Sequence, residues 1–311
     1  MPLPTLVHIG YHKTATNWFQ RIFYPAVSNY SYVHRKRARA AFTEDHAFQF
    51  DPQAAFARLE IPTAEGLILC EEELSGNLHN GGLFGFMSKE IAHRIKATLP
   101  DAQIIIFIRS QTEMIGSVYK QYVKEGGTHS PRRYLFPFDS LDPHGFSPKK
   151  TPLFAFQHYD YRLLINHYRE VFGAERVHVF LYEEFSRNQA AFMTRFIERF
   201  GFEVNLEAVP KTRLNVSNKK FSLWVSRLMN RFAYRNVIDK HYFFNVPGMY
   251  RLRGRVVAPL LDRIAFFSGP ARPPDILGPD IVRHIEATYR ESNRLLAEEL
   301  DLPLAKHGYP V

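Results

Sequence analysis

The chain has 311 residues, with 40 Lys+Arg against 31 Asp+Glu, a formal charge of +9 and a pI of about 9.5. Its 45% hydrophobic and 14% aromatic content can fill a core, which excludes a mainly disordered chain. The single cysteine, Cys70, excludes an intramolecular disulfide framework and any zinc site built from several thiolates.

Met1 to Thr5 lacks a basic segment followed by an apolar one, so no signal peptide is read there. Strands are predicted at Leu6–Gly10, Gly66–Cys70, Gln103–Ile108 and Val177–Leu181. The first three are apolar on both faces, as a parallel sheet covered by helices requires. After the first strand, Trp18, Phe19, Ile22 and Phe23 share one helical face. After the third, Met114, Ile115, Val118, Tyr119 and Tyr122 do the same. The longest purely apolar run, Ile104–Ile108, is far short of the ~20 residues that span a bilayer. Residues 126–156, rich in Gly, Pro, Ser and His, read as a long surface loop. Residues 219–267 mix cations with aromatics and read as a helical cap. Ile281, Ile285, Tyr289, Leu296 and Leu300 mark a closing amphipathic helix. The expectation is one α/β domain over 1–311: a P-loop-like parallel sheet flanked by helices, with a helical cap. A cytoplasmic location is expected from the lack of a signal segment and of disulfides.

Two segments carry the chemistry. The first runs Val7-His-Ile-Gly-Tyr-His-Lys-Thr-Ala-Thr-Asn-Trp-Phe-Gln20. A strand ending in Gly10, then Lys13, then Thr14 and Thr16 opening a helix gathers backbone N–H donors and a cation at one point, where a phosphate or sulfate binds. The bland alternative is an N-capped helix with a solvated lysine. The spacing departs from the nucleotide-hydrolase pattern G-x-x-x-x-G-K-[ST], since His12 stands where glycine precedes the lysine. No apolar strand ends in an obvious magnesium-binding aspartate either, which disfavours a nucleotide kinase. In the second segment Arg109 closes a buried strand, where open α/β sheets bind ligands, and Ser117 lies eight residues on. A guanidinium fork suits a phosphate, although a strand-end arginine paired with an acid is the simpler reading of either residue alone.

Together the segments resemble the PAPS-dependent sulfotransferases, in particular the bacterial and carbohydrate-acting branch. His12-Lys-Thr-Ala-Thr-Asn-Trp18 matches that family's [PH]-K-[ST]-[GA]-[ST]-[ST] loop, with Ala15 where glycine is usual and Asn17 where threonine is common. Arg109 and Ser117 match its 3′-phosphate pair. Leu67-Ile-Leu-Cys-Glu-Glu-Glu-Leu-Ser75 looks like its second-strand Ser-Glu-x-Leu-Ser segment, and Arg213-Leu-Asn-Val-Ser217 like its late R-x-N-x-S loop. Tyr289 to Ala297 and Gly308-Tyr-Pro310 resemble its closing helix and tail.

The resemblance implies that Lys13, Thr14, Ala15, Thr16, Asn17 and Trp18 hold the 5′-phosphosulfate of PAPS, with Lys13 stabilising the leaving phosphate. It implies that Arg109 and Ser117 bind the 3′-phosphate, that Asn215 and Ser217 touch the nucleotide, and that PAP is released without a metal. Alignment picks Glu72 as the base for the acceptor proton, and strand alternation turns it opposite to Glu71 and Glu73. His12 and His79 are the alternative bases. The implied acceptor is a small molecule or glycan, taken here as a carbohydrate or glycolipid hydroxyl. The basic cap suits peripheral contact with an anionic membrane, while no nucleic-acid signature is present. A non-enzymatic basic docking protein is the reading from another class.

Overall fold

Strands run through the buried core of the chain. In the computed structural model, which describes residues 3–61, 66–136, 153–205, 220–234, 241–264 and 272–311, five of them form one sheet. These are β1 (Thr5–His8), β2 (Ser31–Val33), β3 (Leu67–Cys70), β4 (Gln103–Ile108) and β5 (Val177–Leu181). Every neighbouring pair is parallel, in the order β2-β3-β1-β4-β5, with Val7 opposite Leu69 on one side and Ile104 on the other. The expected parallel α/β sheet is present.

The helices are α1 (Thr16–Trp18), α2 (Arg35–Phe42), α3 (Pro52–Leu59), α4 (Phe86–Thr98), α5 (Gln111–Lys124), α6 (Pro131–Leu135) and α7 (Tyr161–Phe172), then α8 (Tyr182–Arg187) and α9 (Gln189–Phe200). Beyond them come α10 (Lys220–Met229), α11 (Met249–Leu252), α12 (Ala258–Ile264), α13 (Pro273–Leu277) and α14 (Pro279–Leu300). They cover both faces of the sheet, and strand alternation decides which residue meets which layer. Ile104, Ile106 and Ile108 join Val7 and Leu69 in a core with Met114, Ile115, Ile165 and Ile285. Ile105 and Phe107 turn the other way, into an aromatic layer with Phe19, Phe23, Phe192 and Phe196. Each such fully buried side chain contributes roughly 1.5–3 kcal/mol.

Three expectations are adjusted. The strand at Ser31–Val33 was not predicted, because three residues at a sheet edge show no usable alternation. The first strand ends at His8 rather than Gly10, yet the N–H groups of Ile9 and Tyr11 still donate to the carbonyls of Ile105 and Phe107 (3.1 and 3.3 Å), so the ladder leads straight into the loop. Within 126–156, the described ends are exposed at Ser130, Arg132 and Arg133 but reach inward elsewhere. Tyr134 and Phe154 are buried in the first core, because their rings stack on Tyr122 and Tyr159. Residues 137–152 lie outside the described residues. In the cap, α10 packs against α12 and against α5, and the buried Arg253, between α11 and α12, fastens the cap by donating to the carbonyls of Val123 and Lys124 (2.8 and 2.6 Å).

Candidate active site

Because β1 is flanked by β3 on one side and β4 on the other, the chain leaves its carboxyl end at a switch point where open sheets form a crevice. A cleft of about 1080 Å³ opens there, walled by the loop after β1, the turn after β3, one face of α5 and the inner side of the cap.

The loop is held in a sharp shape. Lys13 and Ala15 both adopt φ 67°, a left-handed conformation that disfavours side chains. Ala15 therefore does not continue a right-handed helix but caps one: its carbonyl accepts from Trp18 N at 2.7 Å, and α1 begins at Thr16. Among the described residues, the N–H groups of Ala15, Thr16 and Asn17 have no partner within the chain, as the first turn of a helix requires. Ala15, Thr16, Asn17 and Trp18 all line the cleft. Thr14 does not: it is fully buried and its hydroxyl donates to the Tyr11 carbonyl, which shapes the loop. Gly10 is required by a close approach, since a Cβ there would lie 2.7 Å from His8 Nε2 and 3.2 Å from Phe107 N.

Lys13 points along the cleft, with Nζ donating to Gln121 Oε1 at 2.7 Å. Burial, with Lys124 and Arg109 nearby, lowers its pKa to about 8 although Glu125 and Glu72 pull the other way. Arg109 reaches the same loop: its Nη1 donates to the Lys13 carbonyl (3.4 Å) and Nη2 to Glu113 (3.0 Å), and its guanidinium sits 4.9 Å from the centre of the Tyr182 ring. Ser117 and Lys120 lie on the cleft face of α5 beside it, one turn apart. Lys120 is held below its ordinary pKa by burial and by Arg109. It is a cation that the sequence reading did not assign.

Arg109 is placed by contacts from distant parts of the chain. Tyr161 donates to its carbonyl at 2.6 Å. The next residue, Ser110, gives its N–H to Glu183 at 2.9 Å and its hydroxyl to the Gly308 carbonyl at 2.9 Å. Tyr309 donates to the other oxygen of Glu183 at 3.0 Å, and Asn293 ties α14 to Gln111 and to the Pro310 carbonyl. The closing helix and tail thus brace the end of β4.

At the end of β3 the three glutamates have separate roles. The strand stops at Cys70 and Glu72–Ser75 form a 3₁₀ turn, so strand alternation no longer governs them, and Glu72 and Glu73 both line the cleft. Glu71 is fully buried beneath, gripped by Arg35 (2.8 Å) and Arg39 (2.9 Å). The carboxylate of Glu72 accepts from Gln20 on one oxygen (2.8 Å) and from Arg35 on the other (3.0 Å). Glu73 pairs with His12 at 3.4 Å; burial acts to raise its pKa, but His12 and Arg39 hold it below the usual carboxylate range. His79 also lines the cleft, between Tyr134 Oη (2.5 Å) and Glu125 (3.6 Å).

The structure therefore brings Lys13, Ala15, Thr16, Asn17, Trp18, Arg109, Ser117, Glu72, His12 and His79 to one cleft. Asn215 and Ser217 lie outside the described residues. Gln20, Arg35, Gln121 and Glu183 were not found from the sequence, because each is defined by a partner 36 to 108 residues away or by burial. Among the described residues no group of three or more His, Cys, Asp or Glu is arranged to hold a metal.

No family model and no curated protein matches the chain. Among solved structures it is similar to a sulfotransferase from Alicyclobacillus acidocaldarius, with 21% identity, 69% of this chain and 86% of that one covered, and a TM-score of 0.49. It is also similar to the mouse sulfotransferase SULT7A1 complexed with PAP, with 12% identity, coverage of 94% and 86%, and a TM-score of 0.42.

Proposed function

We propose that the chain transfers a sulfuryl group from PAPS to a hydroxyl of a carbohydrate or glycolipid acceptor and releases PAP. The observation that carries this reading is the convergence of two anion-binding elements on one cleft: the loop of Lys13 with its open N–H groups, and Arg109 with Ser117 and Lys120. Two such elements suit a nucleotide with phosphates at both its 5′ and 3′ positions.

In this reading the N–H groups of Ala15 to Asn17 and the Thr16 hydroxyl hold the phosphosulfate. The acceptor oxygen attacks sulfur in line, an S–O bond to the acceptor forms, and the S–O bond to the 5′-phosphate breaks. Charge develops on the departing phosphate, where Lys13 stands as the stabilising cation. A sulfuryl group carries less negative charge than a phosphoryl group, so one lysine can serve where phosphoryl transfer uses a metal clamp. The acceptor proton passes to Glu72, whose carboxylate keeps accepting capacity beyond its bonds from Gln20 and Arg35, with the His12–Glu73 pair as the neighbouring acceptor.

Calorimetric titration without added metal tests the proposal. PAP is expected to bind in the micromolar range, ADP and 5′-AMP more weakly, and Arg109→Ala to weaken PAP by roughly 10- to 100-fold, the loss of charge-assisted bonds, with little change for ADP. Equal affinity for PAP and ADP would overturn it.

A further inference from the structure

Residues 219–267 carry nearly all of the net charge of the sequence. Residues 219–267 contain ten Lys and Arg against two Asp, a surplus of eight out of the chain's nine. The cap also carries exposed apolar side chains: among the described residues, ten of the sixteen exposed large hydrophobics lie in it. Soluble surfaces seldom gather both in one place.

The two properties are arranged by helix geometry. On α10, Leu223 and Ser226 face the cleft, while Phe221, Trp224 and Leu228, at spacings of three and four, stay exposed on another side. In the helical run from Met249 to Ile264, Arg253 and Ala258 are buried and Leu252, Val256 and Leu260 recur every fourth residue at about half exposure. Arg251 and Arg255 immediately precede two of these residues, and both are exposed. Past α10, Phe232 packs against Phe243 and Phe244 at 5.7 and 5.6 Å, and the latter two rings are 70% and 60% exposed. Among the described residues, Arg231, Arg251 and Arg255 take part in no ion pair.

We propose that this outer side of the cap docks on an anionic lipid bilayer, with its aromatic and aliphatic side chains in the headgroup boundary and its arginines on the lipid phosphates. No helix among the described residues is long and apolar enough to cross a membrane, so the contact is peripheral. Charge selects this partner over a second copy of the chain, since a symmetric dimer through this side would set the exposed Arg231, Arg251 and Arg255 of one copy against those of the other. The aliphatic stripes select it over nucleic acid, where stacking uses aromatic rings and leaves Leu252, Val256 and Leu260 without a partner. The buried bonds of Arg253 make the surface a fixed platform, whose other side walls the cleft.

Co-sedimentation of the full chain with phosphatidylcholine vesicles, with and without about a third of phosphatidylglycerol, tests this. Binding is expected only to the anionic vesicles, and it should fall as salt is raised. It should weaken at least roughly tenfold in Arg251→Glu/Arg255→Glu and in Trp224→Ser/Phe243→Ser. PAP titration of the same variants reads the cleft separately: retained PAP affinity shows a folded chain, so loss of vesicle binding and failure of the sulfotransferase reading are told apart. Absence of vesicle binding by the parent chain, equal binding to neutral vesicles, tighter binding to an oligonucleotide, or a dimer that the arginine reversal dissociates would each overturn the proposal.

Discussion

The loop after β1 and the cap wall the same cleft and use positive charge in opposite ways. Around the loop three cations are held in place: Lys13 by Gln121, Arg109 by Glu113, Tyr182 and the Lys13 carbonyl, and Arg35 by Glu71 and Glu72. In the cap Arg251 and Arg255 stand in solvent beside exposed leucine and valine. A few oriented, partly desolvated charges can act on one bond, because low dielectric strengthens them and packing fixes their direction. Many exposed charges act on a surface, additively and through salt-screened attraction. The pI of about 9.5 reports mainly the second use and says little about the first.

Removing the cation at the centre of the loop should give the largest effect. Lys13→Ala is expected to lower the turnover of PAPS with the best acceptor of a screen by about 10²–10³-fold, with a smaller change in PAP affinity. Arg251→Glu/Arg255→Glu should leave turnover of a water-soluble acceptor unchanged, and a shared loss in both variants would erase the contrast. Next comes Arg35→Met, which leaves the fully buried Glu71 with Arg39 as its remaining ion-pair partner. Urea unfolding should show a loss of about 3–5 kcal/mol, whereas the cap reversal should cost under about 0.5 kcal/mol.

A smaller effect follows from the pKa of Lys13, lowered to about 8 by burial. A bound phosphate favours the ammonium form, so in the proposed reading PAP would meet this cation in place below pH 8. As pH rises through 8 the free lysine loses its proton, and affinity should fall by at most about tenfold per unit. Lys13→Arg should flatten that profile in calorimetry, since a guanidinium stays charged; a parent profile flat from pH 7 to 9 would contradict the buried-lysine picture.

The parts legible in the sequence are those encoded locally. The apolar runs of β1, β3, β4 and β5, the helix after Gln111, and the placement of Lys13 in the loop after β1 and of Arg109 at the end of β4 all follow from patterns a few residues long. The three-residue β2 left no such pattern. Alternation misjudged the Glu71–Glu73 run because the strand ends before it. Nothing in the residues around Ala15 shows that it sits at φ 67°. That conformation is fixed by the surrounding loop contacts rather than by alanine itself.

Neighbouring residues alone specify the α/β layering and a list of charged candidates, since periodicity and strand-end position are local properties. Long-range packing settles which carboxylate is sealed off by arginines, which residues brace Arg109, and which side of the cap faces outward. Those outcomes depend on partners such as Glu183, Tyr309 and Gln121, which lie far from Arg109 or Lys13 in the chain and meet them only when the sheet and its helices pack together.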